Sequence, residues 1–310
     1  MTAAPSKSVL IWSLAISVLV TLASVLGLGD PTVYEEETRN WATQAKGQDL
    51  GNLLAVVTLL LSGYRYYRGS HRAALVWLGT LLYLVYAYIV YSMAVHFNEL
   101  FLVYVAALGL SSYAVMGSVD RLRAENPHIA RPSTRRVAGY TSITIGVLFG
   151  LLWLSELVPA TLSGEVPRSV MDAGLWVNPI HVIDLAVLLP AFIVAGYLTL
   201  KGRASGQFFV GPLLVFSVLM GASIVAAMIL MTVEGFQNTL PPLVMVSLIV
   251  LASLFAAWRY LMSFSGLASP AGQARTEGPG EEHDPQAGPL LIDGARPTHC
   301  CRWWRPCTGR

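Results

Sequence analysis

Long apolar runs alternate with short polar segments through the first 264 residues of the chain. A helix needs about 20 apolar residues to cross ~30 Å of hydrocarbon, and eight stretches reach that length. They are residues 9–28, 49–67, 73–95, 99–118, 138–159, 179–200, 209–232 and 240–263. The pattern predicts an all-α, polytopic integral membrane protein in which residues 1–264 form an eight-span transmembrane domain.

The composition favours this fold class and excludes a soluble one. Hydrophobic residues make up 55% of the chain, charged residues only 12%, and the mean hydropathy is +0.58. An ordinary globular domain has about 25% charged residues, so a soluble protein of this length could not cover its surface. The basic residues lie in short loops between apolar spans, which indicates a lipid bilayer as partner and no nucleic acid.

The distribution of Lys and Arg sets the predicted orientation. Positive residues collect in the cytoplasmic loops of membrane proteins. With eight spans and a cytoplasmic N-terminus, all of the 20 basic residues face the cytoplasm except Arg39, Lys46 and Arg168. We therefore expect both termini to be cytoplasmic.

Residues 265–310 differ from the rest of the chain. They are rich in Gly, Pro, Glu and Gln and have no periodicity, which predicts a disordered cytoplasmic tail. Cys300, Cys301 and Cys307 flank two tryptophans there, but two of the three are adjacent and zinc needs four ligands. The tail is expected to touch the membrane surface or to contact a protein partner, while the helices could form a homo-oligomer.

Two pairs of short motifs indicate an internal repeat. The pattern D-L-x-x-L-L begins at Asp49 in the second span and at Asp184 in the sixth. Farther along the same spans, G-Y-x-x-x-[RK]-G begins at Gly63 and at Gly196. The sequence therefore predicts two parallel, pseudo-symmetric four-helix halves. These halves and the basic linker between them are residues 8–119, 138–263 and 120–137.

Polar side chains gather at the predicted extracytoplasmic ends of the spans. Asn178 and Pro179 suit the cap and the first position of a helix. His181 follows in the first turn, and Asp184 lies three residues later on the same side. A carboxylate at that depth in a membrane marks a candidate functional site. The candidate ligand-binding residues are His96, His181, Asp184, Asp49, Glu156 and Asn178.

Three interpretations of this set stay open. His96, His181 and Asp184 could ligate a metal, or the two histidines could hold a haem between helices. The same groups could bind a polar solute or relay protons. They could also simply cap helices and bond to one another, because no metal-binding spacing such as H-E-x-x-H or C-x-x-C is present.

Two further features belong to the predicted spans. Pro190 cannot donate a hydrogen bond to the carbonyl of Ala186, so we expect a kink in the sixth span. The third span carries four tyrosines that are expected to pack between helices with their hydroxyls bonded across. They are Tyr83, Tyr86, Tyr88 and Tyr91.

Four segments carry a resemblance to a protein family. They read GQDL at 47–50, YLVY at 83–86, HFNELFLVY at 96–104 and NPIHVIDL at 178–185. In these, the chain resembles a group of multi-pass membrane proteins from high-GC genomes of actinobacterial type. The resemblance covers most of residues 8–263 and implies a bacterial cell membrane as location, but no activity.

The predicted function is the binding or sensing of a small ligand or a metal at the extracytoplasmic His/carboxylate cluster. A small-solute or proton-coupled transporter is the first alternative, and a metal-dependent membrane enzyme or a structural partner protein is the next. The chain contains no P-loop, G-x-G-x-x-G, G-x-S-x-G or kinase signature. An enzyme is therefore less favoured than a binding protein.

Overall fold

The computed structural model describes residues 7–125 and 130–263, and these residues are helical with no strand. Their helices belong to one compact unit. The predicted tail and residues 126–129 of the predicted linker lie outside the described residues. The helices are α1 (Ser8–Gly29), α2 (Arg39–Tyr67), α3 (His71–Ala94), α4 (Phe101–Met116), α5 (Val119–Glu125), α6 (Pro132–Ser163), α7 (Arg168–Ala173), α8 (Pro179–Ile183), α9 (Leu189–Leu200), α10 (Ala204–Val233) and α11 (Leu240–Met262).

Within the described residues, seven helical stretches are long and apolar enough to cross a membrane, which confirms the predicted all-α, multi-pass class. They are Ser8–Gly29, His71–Ala94, Phe101–Ala124, Pro132–Ser163, Pro179–Leu200, Ala204–Val233 and Leu240–Met262. The predicted second span, residues 49–67, is the C-terminal part of α2, which is not among the seven. This helix has 29 residues but carries buried polar side chains, among them Asp49 and Asn52. It packs against α1, α3 and α10, so its polar groups face other helices.

Local side-chain caps fix several helix starts at the same end of the bundle. The Thr38 side chain accepts a hydrogen bond from Trp41 N, and the Asn178 side chain accepts one from Ile180 N. Pro179 then occupies the first helical position, where a missing N–H costs no hydrogen bond. The prediction of Asn178 and Pro179 as a helix start is confirmed. We call this end, which also carries α7 and a short 3-10 helix at Pro31–Tyr34, the loop end.

The helices form two rings of four with the same order of neighbours. In the first, α1 contacts α2, α2 contacts α3, α3 contacts α4, and α4 closes on α1. In the second, α6 contacts α9, α9 contacts α10, α10 contacts α11, and α11 closes on α6. The rings join mainly where α2 and α3 pack on α10. The α3 helix also contacts α8, the first turn of residues 179–200, which we call the sixth span after its place in the eight-span prediction.

Small residues allow the closest approaches between helices. A Cβ on Gly47 would overlap the backbone of Ala227, and one on Gly51 would overlap the side chain of Ser223. This small-xxx-small pattern brings α2 and α10 together as it does in many membrane helix pairs. A Cβ on Gly63 would lie 2.5 Å from Oγ of Ser13 in α1, and a Cβ on Gly196 would lie 2.7 Å from the carbonyl oxygen of Gly139 in α6. The two repeat glycines thus make the corresponding contact in each ring.

The sixth span changes its helical form beside Pro190. Residues Asp184–Leu188 form a π-helical turn between α8 and α9, and the N–H of Leu189 bonds to the carbonyl of Asp184, five residues back. A π turn accommodates one extra residue and is frequent at functional sites. The irregularity expected from Pro190 therefore takes the form of a π turn, and Asp184 is its first residue.

Candidate functional site: two adjoining cavities between the two rings

Asp184 lies in the interior of the bundle, where three helices meet. Its side chain is only 7% exposed. The hydroxyl of Tyr86 donates to Oδ1 at 3.0 Å, and Nε1 of Trp153 donates to Oδ2 at 2.8 Å. Within the described residues, no Lys or Arg forms an ion pair with Asp184. Its two oxygens thus accept hydrogen bonds only from neutral donors.

Asp184 lines an inner cavity of about 300 Å³ between α2, α3, α6, the sixth span, α10 and α11. Its wall is mostly aromatic and aliphatic and includes Tyr86, Trp153, Phe192 and Phe216. The polar side chains on this wall are few. They belong to Gln44, Gln48, Asp184, Ser217 and Ser223, apart from the aromatic hydroxyl and indole groups. This is the usual character of a small-molecule pocket, which is apolar with a few placed polar groups.

A second, outer cavity of about 220 Å³ adjoins the inner one toward the loop end. Trp41, Gln44, Trp153 and Ile180 line both cavities, so these four side chains form the shared wall. The outer cavity is otherwise polar. Its remaining lining residues are Asn40, Ser169, Asp172, Asn178 and His181. The two cavities together offer a polar compartment and an apolar one.

His181 lines the outer cavity and is 5% exposed. Its ring lies against the indole of Trp153, with centroids 4.6 Å apart. Among the described residues, no group hydrogen-bonds to its Nε2, although that atom is buried. The same holds for Oγ of Ser169 in the outer cavity and Oγ of Ser217 in the inner one. Buried polar atoms are nearly always paired. Of the thirteen buried side-chain polar atoms without a hydrogen-bond partner in the described residues, these three lie on the two cavities, where a ligand could supply the partner.

Glu156 stands at the edge of the outer cavity and holds its wall in place. Its Oε1 accepts a hydrogen bond from the backbone N–H of Ser169 at 2.9 Å. That bond connects α6 to the first turn of α7. The carboxylate therefore positions the loop that carries Ser169 and Asp172.

Asp49, the predicted repeat counterpart of Asp184, lies in a different place. It is fully buried in the first ring, where the hydroxyl of Tyr34 donates to Oδ2 at 2.7 Å and that of Tyr91 to Oδ1 at 2.8 Å. Tyr34 belongs to the 3-10 helix at the loop end. Burial, and after it the charge of Asp49, raises the pKa of Tyr34 well above its usual value, so this phenol remains a donor. Neither cavity includes Asp49 among its lining residues.

His96 also lies apart from the cavities. Its backbone N–H donates to Oε1 of Glu37 at 2.6 Å, and its Nδ1 is 3.1 Å from Oε2 of the same carboxylate. The imidazole is 53% exposed. These contacts fasten the α1–α2 loop to the end of α3.

The single cluster expected from the sequence is therefore divided. His181, Asp184 and Asn178 line the two cavities, Glu156 supports them, and Asp49 and His96 belong to the first ring. Across residues 7–125 and 130–263, no three His, Cys, Asp or Glu side chains come close enough to hold a metal ion. The predicted metal set of His96, His181 and Asp184 is thus not brought together.

The sequence analysis missed the aromatic residues of the site. Trp41 and Trp153 on the shared wall were not among the predicted site residues, and packing between helices was the favoured prediction for Tyr86 over lining a pore. The sequence did hold one signal for Trp153. An indole N–H inside a membrane helix needs a hydrogen-bond acceptor, and the carboxylate of Asp184 is such an acceptor. Ser169 and Asp172 gave no signal, since their place depends on how α7 folds back over the bundle.

Comparison of the chain with protein-family models, with curated proteins and with solved structures finds no match. Geometry and chemistry alone must therefore decide what the cavities do.

Proposed function

We propose that this protein is a membrane-embedded receptor or sensor that binds an amphipathic small molecule in the two adjoining cavities. The observation that carries the proposal is Nε2 of His181, a buried and unpaired polar atom on a polar cavity that adjoins a 300 Å³ apolar one. A ligand with a polar head and an apolar body would satisfy the first and fill the second. The unpaired hydroxyls of Ser169 and Ser217 have the same explanation.

We further propose that the chain crosses a cell membrane eight times, with α2 as the additional span. The burial of its polar face against α1, α3 and α10 supports this, because those side chains would not meet lipid. The Lys and Arg distribution supports an extracytoplasmic loop end and cytoplasmic termini. The matching order of helix contacts in the two rings, and the matching places of Gly63 and Gly196, support two pseudo-symmetric halves.

Ligand binding can be tested on the detergent-purified full chain with three compounds that share one apolar body. The probes are 4-phenylbutylamine, 4-phenylbutanol and 5-phenylpentanoate, each of which carries its head group on a phenylbutyl body. Binding of any of them should raise the thermal midpoint and change tryptophan fluorescence, since Trp41 and Trp153 form the shared wall. A site with one ligand gains about 2.7 kcal/mol of stability when the ligand is at 100 times its Kd.

Two variants of α10 show whether such binding uses the inner cavity. Ser217→Leu places extra carbon in the cavity and removes one of the unpaired hydroxyls. Ser205→Leu makes the same change on the same helix at a position that lines neither cavity. We expect Ser217→Leu to abolish the response and Ser205→Leu to retain it. No saturable response to any of the three probes in the wild type, or an equal response in both variants, would refute the proposed function.

A further inference from the structure

Charge and aromatic character around the two cavities point to one class of ligand. We propose that the ligand is a lipophilic cation, an ammonium group on an apolar body, whose charge lies beside Trp153 at the shared wall, between Asp184 of the inner cavity and His181 of the outer one. This inference rests on the proposed function and specifies its ligand.

The charged groups around the cavities are acidic. Asp184 lines the inner cavity, Asp172 lines the outer one, and Glu156 supports the outer wall from behind Ser169. The residues that line the two cavities include no Lys and no Arg within the described part of the chain. An anionic ligand would therefore meet carboxylates without any cation to balance it, whereas a cation would be attracted.

Arg39 lies near this end of α2 but is engaged elsewhere. Its guanidinium donates to the backbone carbonyl of Glu234 at 2.6 Å, lies 3.5 Å from the carboxylate of the same residue, and covers the ring of Phe236 at 5.0 Å. The first turn of the sixth span offers little to an anion either, since the side chain of Asn178 already accepts from Ile180 N. Neither Arg39 nor the start of this helix therefore gives an anionic ligand a positive partner in the cavities.

The aromatic wall favours the same class of ligand. Trp153 lines both cavities and donates its N–H to Asp184, while Tyr86 donates to the other oxygen of that carboxylate. Trp41, Phe192 and Phe216 complete this part of the wall. The faces of aromatic rings attract cations, and Trp does so most strongly. An ammonium group beside Asp184 would combine a carboxylate with aromatic faces.

The size of the inner cavity limits the apolar body. At about 300 Å³ it lies at the lower end of small-molecule pockets, which range over roughly 300–1,000 Å³. A phenylalkyl group suits that volume. The phenylbutyl probes therefore match the inner cavity in size and differ from one another only in the head group.

The experiment measures the dissociation constants of 4-phenylbutylamine, 4-phenylbutanol and 5-phenylpentanoate for the wild-type chain at neutral pH, by tryptophan fluorescence and thermal shift. We expect the amine to bind at least about tenfold more tightly than the alcohol, because it gains a charge-assisted contact and cation–π attraction. The carboxylate should bind most weakly. Asp184→Asn should reduce the advantage of the amine over the alcohol to less than about threefold and leave the alcohol nearly unchanged.

Asp49→Asn is the matched control, because it also removes a buried carboxylate but one outside both cavities. It should retain the preference for the amine. If Asp184→Asn does not fold, the order of the three probes on the wild type still decides the question. Equal binding of alcohol and amine, or tighter binding of the carboxylate, would overturn the cationic ligand while leaving the proposed function intact. Failure of all three probes to bind would overturn both.

Discussion

Gly51 gives the sharpest test of the packing between α2 and α10. In Gly51→Ala the new Cβ would overlap Oγ of Ser223, lie 2.6 Å from Cβ of Ser223 and lie 2.9 Å from the hydroxyl of Tyr83. Rotating the Ser223 side chain cannot relieve this, since its Cβ is fixed by the backbone. The helices must separate, and the 2.7 Å hydrogen bond between Tyr83 and Ser223 is strained or lost.

The expected loss of stability follows from three contributions. Overpacking costs about 1–3 kcal/mol, and a hydrogen bond between membrane helices contributes ~0.6 kcal/mol. The better helix propensity of Ala returns up to ~1 kcal/mol. Gly150→Ala in α6 is the control, because a Cβ there meets no atom within 4 Å; only the propensity gain applies to it. We expect the two variants to differ by about 2–4 kcal/mol in free energy of unfolding.

Unfolding by sodium dodecyl sulfate in mixed micelles, followed by tryptophan fluorescence, measures this difference. The double variant Gly51→Ala/Ser223→Gly should recover part of the loss, since it removes the side chain that the new methyl group meets. Such recovery would appear as a favourable coupling energy of about 1 kcal/mol or more. If Gly51→Ala is as stable as Gly150→Ala, the close contact between α2 and α10 is refuted.

Three further changes test the contacts of the buried carboxylates and of the loop end. Trp153→Phe should cost about 1–2 kcal/mol, because Oδ2 of Asp184 loses its donor, whereas Trp176→Phe, at a fully exposed position, should be neutral in the same unfolding assay. Tyr34→Phe should cost about 1–3 kcal/mol by leaving an oxygen of Asp49 unpaired. The raised pKa of Tyr34 means that its contribution is present below the unfolded value near 10 and is lost as the pH rises above it; the wild type should therefore lose stability more steeply than Tyr34→Phe in alkaline titrations. His96→Ala should cost less than about 1 kcal/mol, since its ion pair with Glu37 is half exposed on the histidine side, and a larger loss would show that the α1–α2 loop depends on it.

The sequence contained most of the fold, because membrane helices are specified by a local property. Runs of apolar residues and caps such as Asn178-Pro179 fix the start and length of a span without reference to distant parts of the chain. The exception was α2. Its apolar run predicted a span at residues 49–67, but the helix already begins at Arg39, and its polar side chains keep it out of the seven apolar stretches. Only its packing against three other helices accounts for Asp49 and Asn52 in the interior.

The site was less predictable, because depth along a span does not determine which side of a helix faces which partner. The sequence places His181, Asp184, Asp49 and His96 at a similar depth along their spans. That similar depth predicted a single cluster of the four side chains. In the structure the first two face the cavities and the others face the first ring. Rotation about the helix axis depends on the small-residue contacts of α2 with α10 and of α6 with α9, which pair residues far apart in sequence.

Asp184 lines the inner cavity, which adjoins the outer one, whereas Asp49 lines neither. Asp49 lies in α2 and Asp184 in the π-helical turn after α8, and each aspartate accepts one bond from a tyrosine of α3. The second donor differs: Asp49 receives the phenol of Tyr34 from the preceding loop, whereas Asp184 receives the indole of Trp153 from the neighbouring helix. The loop in the first ring thus inserts a side chain into the bundle, while in the second ring the equivalent loop, with α7, only borders the outer cavity through Ser169 and Asp172. Asp49 is thereby enclosed by its own loop, whereas Asp184 keeps a cavity beside it that the proposed ligand can enter.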